Sequence, residues 1–320
     1  MSTITRILST FIRFFIFTIL LVVLIIGFAW WLFPREKALQ LPEQFLQKTW
    51  PRYTWQISGV QYQPPFSLHF EGIRATEANP SGKQGKDIVI DWLNLRPSVM
   101  ALIQKNELLG AFQLQGAAGS AHGTFSLPLH KPLDTCEVQI MLVDIAVDKL
   151  FFVQDNLQRR VKGQLSASLA FNYSLREQRL SNLQGPINIL KGEVPLRRPI
   201  FGHVLLPFEN ISMHLTQVGS VVQVKSGQVA SPLLNGQCDG TVETARPFAA
   251  SGLHIKCSLV PQPEFFISIR NPDSLQALRL RRTERPVEVT LSGTLNDPSF
   301  FFDKDAAQLE QLERDVSVTP

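Results

Sequence analysis

Two cysteines in the C-terminal half are spaced so that they could form a disulfide. Cys238 and Cys257 each lie in a stretch of strand-like composition, and Arg246-Pro247 marks a turn near the midpoint between them. In a hairpin that turns there, the two cysteines lie opposite or nearly so, at a Cα separation that suits a disulfide. We therefore predict a Cys238–Cys257 bridge, which would fit an exported, oxidising compartment. Two free thiols placed symmetrically about a loop are the alternative, and Cys136 is expected to be unpaired.

The other residue types that carry chemistry form no recognisable motif. Six histidines are scattered along the chain without HExxH or HxH spacing, and His69, His214 and His254 fall on the polar side of predicted strands. The sequence has no nucleophile elbow, Walker loop or dinucleotide fingerprint. Asp144 and Asp148 would lie one turn apart on a predicted helix, where a solvated helix face is favoured over an acid/base pair. The sequence thus predicts no catalytic, metal-binding or cofactor-binding residues and a protein that is not an enzyme.

A short basic cluster is the strongest local concentration of charge. It consists of Arg279, Arg281, Arg282 and Arg285. Such a cluster could dock an acidic partner or anionic lipid headgroups, or it could be an exposed loop that keeps the chain soluble. The formal net charge is only +4 and the other basic residues are dispersed, which argues against nucleic acid as a partner.

An uncharged apolar segment from Phe14 to Phe33 determines how the rest of the chain is presented. At about 1.5 Å of rise per residue, a helix of about twenty residues crosses the hydrocarbon core of a bilayer. The segment ends in bulky residues and Pro34 instead of a signal-peptidase site, so we predict an uncleaved anchor; a buried core helix is the alternative. Its characteristic residues are Phe14, Phe15, Leu20, Leu24, Ile25, Trp30, Trp31 and Phe33.

The anchor divides the chain into four parts. Residues 1–13 form a short N-terminal stub, 14–33 the transmembrane helix, 34–302 a β-rich domain and 303–320 a polar tail. Arg6 and Arg13 precede the span, and the long polar part follows it, so we expect the N-terminus in the cytoplasm. The C-terminal domain is then periplasmic, on a single-pass protein of the inner membrane.

Alternating apolar and polar residues dominate the sequence after the anchor. The stretch 66–71 places Phe66, Leu68 and Phe70 on one side, and many later stretches repeat this period of two with glycines interspersed. We predict a mainly β fold, a large curved antiparallel sheet that is apolar on one face, with a few short helices. A closed sandwich or barrel would give much of the same pattern.

Three short helices and one connection complete the prediction. Leu41–Trp50 and Pro97–Asn106 have helical composition, with Pro97 in the first turn of the second helix. Ile145–Arg160 is predicted to be a helix because Ile145, Leu150, Phe151 and Val153 could form an apolar stripe. Residues 195–207 are predicted to connect two strands.

The glycine-punctuated strands after an N-terminal anchor resemble the type II secretion system protein N family (GspN) of Gram-negative bacteria. The stretches that carry the resemblance are Val161–Ser168, Leu190–Val194, Lys225–Gly240 and Leu291–Pro298. These motifs are shared with AsmA-like proteins, which are anchored in the same way and whose curved sheets are associated with lipid handling. The resemblance implies a non-enzymatic inner-membrane component with a periplasmic β domain.

Two functions remain open at this point, and we favour the first. The first is an accessory component of the type II secretion system, which contacts other secretion-system subunits by strand addition or surface docking. The second is an AsmA-like protein that binds or transfers lipid, with acyl chains held in an apolar groove. A continuous exposed apolar trough would favour the second, because soluble proteins rarely expose large apolar patches. An exported hydrolase would need a polar pocket that the sequence does not indicate.

Overall fold

The described part of the chain folds into one antiparallel sheet of fourteen strands. A computed structural model describes residues 35–49, 53–64, 66–77, 87–129, 135–150, 160–177, 179–200, 203–245, 250–268 and 286–302. Each strand pairs with its neighbours in sequence, and the first and last strands are the two edges of an open sheet. The prediction of a mainly β, antiparallel fold with few helices is therefore confirmed.

The strands are long and follow one another directly. They are β1 Tyr53–Gln63, β2 Ser67–Glu77, β3 Asp87–Pro97, β4 Glu107–Gly116, β5 Gly119–Pro128, β6 Thr135–Ala146, β7 Lys162–Ser174, β8 Arg179–Ile200, β9 His203–Val218, β10 Val221–Ala230, β11 Leu234–Glu243, β12 Gly252–Pro261, β13 Val287–Thr294 and β14 Pro298–Phe302. The helices are α1 Arg35–Thr49 and α2 Val99–Lys105, with 3-10 turns at Val147–Lys149 and Pro263–Ser268.

The period of two in the sequence becomes an alternation of burial along the strands. In β12, Leu253 and Cys257 are buried while His254, Lys256 and Ser258 are exposed. Successive side chains of a strand point to opposite faces of the sheet, so this pattern gives the strand one apolar and one polar face. The stretch 66–71 follows the predicted pattern only in part, because Phe70 is buried whereas Phe66, which precedes β2, is exposed and Ser67 is buried.

Helix α1 covers the apolar face at the first edge of the sheet. Leu39 and Leu46 pack against a buried cluster formed by Ile57, Val60, Phe70 and Ile73. Glu43 Oε1 also accepts a hydrogen bond of 2.9 Å from the Ile57 backbone N–H, which lies on the edge strand β1. The helix therefore occupies part of an edge that would otherwise be open to a further strand.

The second short helix begins later than predicted. Pro97 is the last residue of β3 instead of a first-turn residue, and Ser98 is the N-cap, its Oγ accepting from the Ala101 N–H at 3.4 Å. The helix ends at Asn106, whose φ of 52° is left-handed. A hydroxyl that satisfies a first-turn N–H is the usual way to begin a helix, which explains the shift by two residues.

The predicted helix Ile145–Arg160 is wrong over its described part. Ile145 belongs to β6, and a single 3-10 turn, Val147–Lys149, follows; residues 151–159 lie outside the described ranges. Asp144 and Asp148 are consequently not one helical turn apart. Ile145 and Val147 are both buried, so their spacing of two reflects a strand end and not a helical stripe.

The predicted connection 195–207 is also wrong. Strand β8 continues to Ile200 and β9 begins at His203, with Ile200 paired to His203 across the turn. These two strands are the longest of the sheet. Four prolines, Pro186, Pro195, Pro199 and Pro207, lie within them, and all are tolerated here although proline removes a donor from the ladder.

Residues in the left-handed region shift the alternation along several strands. Asp144, Asn182, Lys191 and Ser226 have φ values of 51°, 54°, 48° and 51°, and lie at or beside irregularities in strand pairing. On β8 the residues on the apolar face change from odd numbers, such as Ile187 and Ile189, to even ones after Lys191. Bulges of this kind increase the local twist and bend of a sheet.

Glycines on the apolar face lie under aromatic rings of the neighbouring strand. Phe208 is paired with Gly192, and a Cβ at Gly192 would collide with the Phe208 ring and the Lys162 carbonyl. Phe112 with Gly123 and Phe125 with Gly110 repeat the arrangement on β4 and β5. The glycine leaves the space that the ring fills, so the pair packs as a unit.

Four parts of the sequence prediction fall outside the described ranges. They are the stub 1–13, the anchor from Phe14 to Phe33, the polar tail 303–320 and the arginine cluster at Arg279, Arg281, Arg282 and Arg285. Within those ranges no helix has both the length and the apolar character needed to cross a bilayer.

Candidate functional site: an apolar trough

The strand registers place apolar residues from successive strands on one common face. Directly paired residues share a face, so Leu165 on β7, Ile189 on β8 and Ile211 on β9 form one row across the sheet. Farther along, Val224 on β10 pairs with Leu215 on β9. Each strand from β1 to β14 contributes apolar side chains to this face, which we call the inner face.

The inner face forms an open trough over the second half of the sheet. One part has a volume of about 980 Å³ and is lined mainly by β8 to β12; its apolar lining is Leu180, Leu183, Met213, Leu215, Val222, Val224, Val242, Ala245, Leu253, Ile255 and Leu295. A second part of about 350 Å³ extends to β14 and includes Val194, Phe208, Leu259, Leu291 and Phe300. Leu253 and Leu295 line both parts, so the two are adjacent.

The lining residues show that the sheet bends around this trough. Val194 on β8 and Phe300 on β14 border the same cavity of about 350 Å³. Six strand spacings separate these strands, which is about 29 Å on a flat sheet. Residues of strands this far apart in the sheet border one cavity, which indicates that the sheet bends around it.

Many of the apolar side chains that line the trough are only partly buried. Met213, Leu215, Val222 and Ile255 all remain partly accessible, although each points to the inner face. Among the described elements, α1 contacts β1, α2 contacts β4, the 147–149 turn contacts β7, and Phe265 of the 263–268 turn stacks on His203 at the start of β9. Phe265 and His203 are not among the residues that line the two parts of the trough.

The Cys238–Cys257 pair lies inside the trough. The register places the two cysteines directly opposite each other on β11 and β12, with Cα atoms 4.1 Å apart, and the structure joins their Sγ atoms at 2.09 Å. Both cysteines line the smaller part of the trough. The bridge fixes the relative position of two strands that form its floor.

No family model, no curated protein and no solved structure matches this chain. The geometry of the trough is therefore the basis on which its function is interpreted. The resemblance to GspN and AsmA-like proteins stays a hypothesis based on the short motifs.

Polar lining residues of the trough are concentrated at one end. Glu177 lies in the turn after β7, Arg179 begins β8, Gln217 is near the end of β9, Ser220 precedes β10 and Thr244 follows β11. When consecutive strands are antiparallel, the last residue of one strand and the first residue of the next lie at the same end of the strands. These five residues thus form the mouth of the trough.

The histidines predicted on the polar side lie on the outer face. His214 and His254 are exposed there, and His69 stacks on Trp92 with ring centroids 5.9 Å apart. A shallow outer depression of about 440 Å³ is lined by His122, Gln139 and His214 among others. Among the residues that the structure describes, no three His, Cys, Asp or Glu side chains are grouped as metal ligands.

Among the residues that the structure describes, two titratable groups have shifted pKa values, and both are partly buried. Burial raises the pKa of the Cys136 thiol, and the nearby Glu137 carboxylate raises it further. Burial lowers the pKa of His203, whose ring stacks on Phe265 at a centroid distance of 5.4 Å; a hydrogen bond with the Phe265 backbone partly opposes the shift. Neither residue is part of the mouth.

Sequence reasoning identified the apolar face but missed its mouth. Gln217 is not among the residues that the sequence predicts to be functional. The sequence does contain a sign of the mouth. In a strand, Ile211, Met213, Leu215 and Gln217 would lie on the same face, and the last of these four residues is polar.

Proposed function

We propose that this protein is a non-enzymatic lipid-binding protein whose trough holds acyl chains. The observation that carries the proposal is the partly accessible apolar lining from β8 to β14. An apolar surface of this extent is costly to expose to water and indicates a binding site. Its volumes lie in the range of small-molecule sites.

The hydrophobic effect is sufficient to hold a chain in such a trough. Each methylene transferred from water to an apolar surrounding contributes about 0.8 kcal/mol. Two additional methylenes should therefore tighten binding by roughly 15-fold, as long as the trough can accommodate them. This dependence on chain length separates a hydrophobic site from a surface that binds headgroups alone.

The proposal includes the predicted anchor and compartment. A single span at Phe14–Phe33, with the N-terminus in the cytoplasm, would place the trough in the periplasm beside the inner membrane, where lipids are available. The Cys238–Cys257 bridge supports an oxidising compartment. Recovery of the intact chain from the cytosolic fraction of cells would contradict this part of the proposal.

The experiment is mass spectrometry of lipids that copurify with the full chain in a non-lipid detergent. Leu215→Glu places a charge on the inner face, and Thr216→Glu places the same charge on the opposite face of the same strand; both side chains are partly buried in the native protein. We expect lipid with the wild type and with T216E, and at least a tenfold loss with L215E. Circular dichroism establishes that each variant is folded.

A lipid-free wild-type preparation, or equal lipid in both variants, would contradict lipid binding and favour the second candidate. That candidate is an accessory component of the type II secretion system. It is supported by the outer edge of β14, which pairs only with β13 among the described strands and carries Phe301, 58% exposed. A photo-crosslinker at Phe301 should then capture secretion-system subunits.

A further inference from the structure

We propose that the mouth of the trough is a headgroup site, and that it selects lipids whose head carries an anionic group beside a hydroxyl or amine hydrogen-bond donor. The inference rests on the proposed lipid-binding function and specifies the ligand class of the same site. It also fixes an orientation, with the head at the mouth and the acyl chains directed toward the Cys238–Cys257 bridge.

The distribution of polar groups gives the trough an amphipathic axis. Among the described residues, the charged side chains that line the larger part of the trough are Glu177 and Arg179, and both lie at the mouth together with Gln217, Ser220 and Thr244. The smaller part, at the opposite end, is lined by apolar residues, and its one hydroxyl, Ser231 Oγ, already donates to the Pro207 carbonyl at 2.6 Å. An amphiphile can therefore match the trough in only one direction.

Gln217 is the residue that points most directly to a ligand. Its side chain is 7% exposed, although it lies at the polar end of an apolar face. Nε2 donates to the Gly219 carbonyl at 2.9 Å and to the Leu180 carbonyl at 3.4 Å, and these two acceptors fix which end of the amide is nitrogen. Oε1 is buried and, within the described part of the chain, accepts no hydrogen bond.

A buried acceptor without a donor is unfavourable, and a ligand donor would relieve the cost. A hydroxyl or ammonium group of a lipid head supplies such a donor. The exposed guanidinium of Arg179 lies at the same mouth and can bind a phosphate or carboxylate through two parallel hydrogen bonds. A lipid headgroup that carries both a donor and an anionic group can bind Gln217 and Arg179 at the same time.

The mouth is held in place by backbone contacts. The Thr244 N–H and Oγ1 donate to the Ser220 carbonyl at 2.8 Å and 2.7 Å, which ties the β9–β10 turn to the end of β11. Gln217 ties the same turn to the start of β8 through Gly219 and Leu180. A site that is already positioned loses little entropy when a ligand binds.

The test is displacement of a fluorescent phospholipid from the detergent-solubilised full chain by competitors with identical acyl chains. Phosphatidylethanolamine and phosphatidylglycerol carry donors, whereas the quaternary ammonium of phosphatidylcholine carries none. We expect the two donor lipids to bind about tenfold more tightly than phosphatidylcholine. Gln217→Leu should remove this preference while retaining binding, and Thr216→Val is the matched control that should leave it unchanged.

Arg179 is tested in the same assay. Diacylglycerol with the same chains keeps a hydroxyl donor and lacks the phosphate, so the wild type should favour the phospholipids and Arg179→Gln should reduce that advantage severalfold. Equal affinity for phosphatidylcholine and phosphatidylethanolamine in the wild type would overturn the inference and leave the proposed function intact. A preference that survives in folded Q217L would overturn it as well.

Failure of the proposed function has a different signature. In that case the fluorescent phospholipid does not bind, or none of the competitors displaces it, whatever headgroup the competitor carries. The ratio of affinities in the wild type decides the donor requirement even if Q217L does not fold.

Discussion

Cys238 and Cys257 connect two neighbouring strands at the floor of the trough. The loop that the bridge closes spans a sequence separation of 19 residues. In the chain-entropy description, a crosslink of this length restricts the unfolded chain and stabilises the folded one by about 3 kcal/mol. The bridge therefore belongs among the main local contributions to the stability of the second half of the sheet.

Replacing both cysteines should measure that contribution. We expect Cys238→Ala with Cys257→Ala to lower the free energy of unfolding by about 3 kcal/mol, as determined by guanidinium denaturation of the detergent-solubilised chain. Cys136→Ala, which removes a free and partly buried thiol, is the control and should cost about 1 kcal/mol or less. Equal stability of the double variant and the control would show that the bridge does not stabilise the fold.

The sequence predicted the position of a residue correctly where two residues are spaced symmetrically about a turn. The opposed position of Cys238 and Cys257 followed from their spacing about Arg246-Pro247. Gln217 could not be assigned in the same way, because its importance depends on carbonyls of Leu180 and Gly219 that only the fold brings to it. A buried acceptor is a property of the surroundings and not of the residue type.

The phase shifts along the strands explain which elements were predicted correctly. Continuous alternation, as in β12, identified a strand and its buried face. At Asp144 and Lys191 a residue in the left-handed region interrupts the strand. The apolar residues then change from even to odd numbers or from odd to even, so the period of two is lost over a few residues. Ile145 follows such a shift, and this interruption led to the wrong helix prediction there.

Glycine under a phenylalanine ring is the element-scale feature that a substitution can test. Gly192→Ala would place a Cβ against the Phe208 ring and the Lys162 carbonyl, so the strand or ring must move. We expect a loss of about 1–3 kcal/mol in the free energy of unfolding, measured by the shift of the denaturation midpoint.

Gly59→Ala is the matched control for this change. Gly59 also lies within a strand, and an added Cβ would make only ordinary contacts, at 3.8 Å from Glu71 Oε2. Its effect should be close to zero or slightly stabilising, because alanine has less conformational freedom than glycine in the unfolded chain. A similar loss for both variants would mean that the Phe208–Gly192 contact has no special role.

At the scale of the whole molecule, the two edges of the sheet are protected differently. At β1, Glu43 of α1 accepts from the Ile57 N–H and α1 packs beside the strand. Strand β14 has only β13 as a partner among the described elements. Unpaired edge groups are available for pairing with another chain, so β14 is the favoured edge for strand addition.

Hydrogen exchange should report this asymmetry. We expect the Ile57 amide to exchange slowly and the amides of β14 to exchange near the rate of loops, since a terminal strand without a cover opens easily. Glu43→Ala should accelerate exchange at Ile57, whereas Gln47→Ala, an exposed change on the same helix, should not. Equal protection of both edges would contradict the capping role of α1.

The unbroken order of the strands has a consequence for how this architecture can grow. Because each described strand pairs only with its chain neighbours, one more hairpin could be inserted into the order with new partners for only the two strands that flank it. Each such duplication would add about 10 Å to the width of the sheet. Proteins of different length could thus accommodate larger cargo while keeping the same entrance and the same interior chemistry.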